Sequence, residues 1–81
     1  MRTIAELPHP DCKISIFSMN QKFIIKFEHG TLEQSYKIAE ADIIDGVNGV
    51  FELLDEQFIQ EVVKQFVTMR DSFKKAYSRY E

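Results

Sequence analysis

"KFIIKFEHGTLEQSYKI", residues 22–38, sets the architecture of this 81-residue chain. Along 22–28, Phe23, Ile25 and Phe27 fall on one side of an extended backbone, and Ile24, Lys26 and Glu28 on the other. That period of two marks a half-buried strand. The segment 31–38 repeats it, with Leu32, Gln34, Tyr36 and Ile38 on one side. Between the two strands His29-Gly30 reads as a two-residue connection, because Gly30 has no Cβ to oppose a positive φ. A hairpin closed there sets Phe27 against Leu32, Ile25 against Gln34 and Phe23 against Tyr36, and Lys26 meets Glu33 on the reverse face. A slip by one residue would bury Glu33 and Lys37 instead.

Upstream, "CKISIFS" (12–18) alternates in the same way, with Cys12, Ile14 and Ile16 opposite Lys13, Ser15 and Phe17. It joins the hairpin through a loop at 19–21, which predicts an antiparallel meander of three strands. "RTIAEL" (2–7) is a candidate fourth strand, closed by Pro8 and Pro10, each of which removes a ladder donor. On the reverse face Phe17 and Ile24 are apolar, which predicts partial cover by the N-terminal strand or by another chain.

Downstream, "AEADIIDGVNGVFELLDE" (39–56) holds six acidic residues and no basic one. Gly46 and Gly49 interrupt it, and the expected structure is a loop across 39–54 with a short helical turn at 50–54 capped by Asn48. Asp55 then suits the N-cap of a long helix over about 55–80, and Glu56 suits its positive end. Within it Ile59, Val62, Phe66, Met69, Phe73, Ala76 and Tyr80 recur at alternating spacings of three and four, one continuous stripe. Phe58, Val63 and Val67 widen the first half, whereas Arg70 and Lys74 flank the second.

The predicted fold class is therefore α+β: an antiparallel meander of three or four strands with one long C-terminal helix on one face. A helix of about 25 residues runs ~38 Å, whereas strands of six or seven residues span only ~23 Å. One or two helical turns should overhang the sheet. Those turns, "MRDSFKKAYSRY" (69–80), carry Phe73, Tyr77 and Tyr80. Apolar rings with no sheet to cover predict a homodimer, its interface built from Phe66, Met69, Phe73, Tyr77 and Tyr80.

Motifs for chemistry are sparse. His9, Cys12 and His29 are the only soft metal ligands, and even with Asp11 they lack the spacing of a site that needs three or four ligands. No nucleophile stands beside a base and an orienting group, so the expectation is a protein without catalytic activity, cofactor or metal. "DGVNG" (45–49) fails as a calcium loop, because Val47, Gly49 and Val50 occupy positions that need oxygen ligands or the invariant glycine. Arg70, Lys74, Lys75 and Arg79 against Asp71 make the helix end basic, which suits the negative end of its dipole. Basic residues interleaved with tyrosines supply the alternative reading, a small-ligand or nucleic-acid binding module at the helix end. A net charge of −3 works against nucleic acid and against anionic membrane. A single cysteine and the lack of any long apolar run predict a cytoplasmic protein with no membrane span, whose other partner, if it has one, is another protein.

Across "CKISIFSMNQKFIIKFEHGTLEQSYKI" (12–38), the acidic loop and "LLDEQFIQEVVKQF" (53–66), the chain resembles small proteins of unknown function from the Bacteroidetes. That resemblance covers nearly the whole chain. It implies a compact α+β fold and, for some members, a homodimer. It implies no activity and carries over no functional residue.

Overall fold

Four runs of alternating residues become one antiparallel sheet in the computed structural model, which describes residues 1–81. The strands are β1 (Arg2–Leu7), β2 (Lys13–Met19), β3 (Lys22–His29) and β4 (Leu32–Ala39), in spatial order β1-β2-β3-β4. A single 3-10 turn (Glu40–Asp42), a short helix α1 (Val47–Leu53) and a long helix α2 (Glu56–Tyr80) follow. The fold is α+β, and the segment 2–7 supplies the fourth strand.

The helix-covered face sorts as the alternation requires, and on the reverse face Ser15 and Ile24 of the two central strands are buried as well. Ile14, Ile16, Phe23, Ile25 and Phe27 are buried beneath Val50 of α1 and Ile59, Val62 and Phe66 of α2. Cys12, just ahead of β2, is buried with them. Phe27, Tyr36 and Phe58 form an edge-to-face cluster with centroids 5.4–5.9 Å apart, the arrangement that ring quadrupoles favour. On the reverse face Phe17 and Ile24 are direct cross-strand partners, and Thr3 of β1 flanks Phe17 on its other side. Ile24 is thus buried among its sheet neighbours; both helices lie on the opposite face.

The β3–β4 hairpin turns one residue later than the His29-Gly30 reading places it, which moves every cross-strand partner by two. His29 pairs with Leu32, so the turn is Gly30-Thr31, and Phe27 faces Gln34, Ile25 faces Tyr36 and Phe23 faces Ile38. This corrects the pairing expected for a His29-Gly30 turn. A shift of two leaves every side chain on its own face, which is why face alternation cannot tell the two registers apart. Lys26 now lies across from Ser35, yet its ammonium reaches Glu33 diagonally at 3.1 Å and Glu28 at 4.0 Å. It thereby separates two carboxylates, Glu28 and Glu33, that stand directly opposite one another.

β2 and β3 join through Asn20-Gln21, both at positive φ (52° and 64°), as a tight primed turn needs. In the acidic segment the helix spans Val47–Leu53, with Gly46 as its N-cap and no side-chain cap bond. Asn48 is therefore inside the first turn, a correction to its expected role as cap. Gly46 at φ 54°, ψ −126° takes a backbone conformation that a side chain would oppose, so the helix starts where glycine permits. Asp55 caps α2 as expected, its carboxylate accepting the Phe58 N–H at 2.8 Å.

Candidate functional site

The mismatch between helix and sheet shapes the molecule. Its principal extents are 48 × 26 × 20 Å, and every residue from Arg70 onward is exposed. Phe66 is 2% exposed and sealed in the chain's own core, with the His29 ring 5.7 Å away. Met69 is half-buried at the margin of that core. Of the residues expected at an interface, Phe66 therefore has no surface to offer a partner. Phe73, Tyr77 and Tyr80 have a great deal, at 61%, 55% and 86% exposed. Phe73 borders a shallow depression at the β3–β4 turn with His29, Gly30, Thr31, Leu32 and Arg70. Beyond it Tyr77 and Tyr80 pair with centroids 6.2 Å apart.

A second feature lies at the other end of α2. Ile25, Tyr36 and Ile38 of the sheet, Leu53 of α1 and Phe58 of α2 wall an apolar groove of about 520 Å³. Its rim carries Glu52, Asp55 and Glu61 against the single cation Lys37. The groove lies between β4, an edge strand, the end of α1 and the head of α2. Leu53 on its wall remains substantially exposed, as does Phe51 two residues earlier in α1. Sequence reasoning placed Tyr36 and Ile38 on the core face but did not find the groove. The available signal was the pair Phe51 and Leu53, two large apolar residues in an otherwise acidic segment.

The histidines and the cysteine come near one another without making a site. His29 donates from Nδ1 to the Asp11 carbonyl at 2.7 Å, and the Asp11 N–H donates to His9 Nδ1 at 3.2 Å. These bonds pin the β1–β2 loop to the end of β3. No group of three or more His, Cys, Asp or Glu side chains is arranged to hold a metal ion. Burial, and then the charge of Asp11, push the Cys12 thiol above its ordinary pKa, which opposes the nucleophilic thiolate. The hydrogen bond and charge of Glu33, with Glu28 behind it, raise Lys26 above the usual lysine value. The basic helix end shows Asp71, Lys74, Lys75, Ser78 and Arg79 around an open depression with no apolar wall. No helix is long and apolar enough to cross a membrane.

No protein-family model, curated protein or solved structure matches the chain.

Proposed function

We propose that this chain is a non-catalytic cytoplasmic interaction protein that works as a homodimer, with the overhanging end of α2 as a principal part of the contact. One observation carries the reading. Phe73, Tyr77 and Tyr80 continue the stripe of Ile59, Val62 and Phe66, yet they stand in solvent at 61%, 55% and 86% exposure. Leaving a large apolar side chain in water rather than burying it forfeits ~1.5–3 kcal/mol. A domain this short buries only ~60% of its unfolded surface and has little stability to spare. Two-fold pairing covers the same patch on both chains and closes the assembly.

Sedimentation equilibrium from low to high micromolar concentration tests the reading. The expected result is a dimer mass, a melting temperature that rises with protein concentration, and a weaker dimer in the Phe73→Ala/Tyr80→Ala variant. Because both residues are exposed, the variant monomer should keep the far-ultraviolet circular dichroism of the parent. A mass of one 9.5 kDa chain at high micromolar concentration refutes the proposal.

A further inference from the structure

We infer that the groove beside β4 is the seat for the aromatic helix end of a second copy of this chain, the two copies exchanging helix ends about a two-fold axis. The inference rests on the dimer reading above and adds the surface that receives the rings.

A chain cannot fill its own groove. Phe58 on the groove wall and Tyr77 on the overhang belong to one helix without glycine or proline. At ~1.5 Å per residue they lie roughly 28 Å apart along it. Two copies of α2 laid antiparallel, however, place the overhang of each beside the head of the other, where the groove opens.

Charge selects that orientation. The head of α2 is acidic, through Asp55, Glu56 and Glu61, and the end is basic, through Arg70, Lys74, Lys75 and Arg79. Antiparallel pairing sets unlike charges together, and parallel pairing sets like charges together. At ~100° per residue Arg70 and Lys74 border the aromatic stripe, so rings entering the groove bring these cations to the rim of Glu52, Asp55 and Glu61.

Size agrees as well. The groove's 520 Å³ is in the range that accepts drug-sized, largely apolar groups. At ~150–250 Å² per buried aromatic side chain, the exposed parts of the three rings amount to roughly 300–500 Å² on each chain. Two such ends plus the groove walls they cover come to roughly 850–1,250 Å², the lower end of the area that specific interfaces bury. Reciprocal exchange also leaves no open groove to propagate a filament.

The test is directed cross-linking in the full-length chain, with one copy isotopically heavy. Leu53→Cys and Tyr80→Cys chains are mixed and oxidised, and the products weighed. Both positions are exposed, so neither substitution disturbs the core, and buried Cys12 is retained and controlled for by each variant alone. The expected product is a heavy–light disulfide dimer in the mixture, with little linked dimer from either variant alone. If sedimentation gives a dimer but Tyr80→Cys links to itself, or residues 53 and 80 do not link, the groove assignment falls and the dimer reading stands. A monomer throughout overturns both. Leu53→Arg on the groove wall should raise the dimer Kd at least tenfold with unchanged circular dichroism; an unchanged Kd overturns the groove assignment.

Discussion

The side-chain amide of Gln34, in the middle of β4, donates to the main-chain carbonyl of Val62 in α2 at 2.9 Å, while its carbonyl accepts the Tyr36 hydroxyl at 2.7 Å. A polar side chain buried between sheet and helix is tolerable only when its hydrogen bonds are made, and here both ends are satisfied. No buried side-chain nitrogen or oxygen lacks a partner in the molecule.

Tyr36→Phe is expected to destabilise the fold by about 1–3 kcal/mol, because it strands the buried Gln34 carbonyl. Gln34→Leu is expected to cost less than about 1.5 kcal/mol, since it removes the buried polar group while roughly conserving volume. In the Gln34→Leu background Tyr36→Phe should then cost almost nothing. Urea denaturation of the four proteins gives the cycle, and equal Tyr36→Phe costs in both backgrounds would refute the coupling.

Gly49→Ala should destabilise the protein even though alanine is the better helix former by roughly 1 kcal/mol. A Cβ at this position collides with the Ile44 carbonyl oxygen and approaches Ile43 Cγ1 to 2.8 Å. The first partner is backbone and cannot swing aside. The expected net cost is about 1–3 kcal/mol, and a thermal melt at fixed protein concentration measures it.

Gln21→Gly should stabilise by roughly 0.5–1 kcal/mol. Gln21 sits at φ 64° in the β2–β3 turn, where a residue with a Cβ pays about 1–2 kcal/mol that glycine avoids, less glycine's own loss of freedom. The Glu40 N–H bond to the Gln21 carbonyl uses the main chain and survives the change. An unchanged or lower denaturation midpoint would contradict the strain.

Stability should fall as pH rises past about 8.5, the ordinary thiol pKa. Burial and Asp11 raise the Cys12 pKa in the fold, so above that pH the unfolded chain ionises while the folded chain retains its proton, and unfolding gains. The raised Lys26 adds a loss of the same sign above the ordinary lysine value near 10.4. Cys12→Ala should flatten the decline of melting temperature between about pH 7.5 and 9.5, ~1 unit either side of the ordinary thiol value. A thiol reagent should label native Cys12 far more slowly than the unfolded chain; equal rates would show the thiol to be open.

Local pattern was enough for much of this molecule. Alternation at 12–18, 22–28 and 31–38 identified three strands and the face each buries, because strand side chains change side at every residue. The Asp55 cap and the stripe through Ile59, Val62 and Phe66 located α2. Simple lengths foretold that Phe73, Tyr77 and Tyr80 would outrun the sheet, since helix rise and strand rise are properties of the backbone alone.

Other features exist only in three dimensions. The Gly30-Thr31 turn was not readable because registers two residues apart bury the same faces, and turn geometry breaks the tie. Helix α1 begins at Val47 because Gly46 takes a positive φ and Gly49 permits a tight approach to Ile43 and Ile44, not because Asn48 caps it. Gln34 is polar on an apolar face, and its partner, the Val62 carbonyl of α2, lies 28 residues away in the chain. The groove is of the same kind. A one-dimensional pattern records which side of each element is apolar, but only the packing of α1 and α2 on the sheet determines how much of that side is covered and how much is left open.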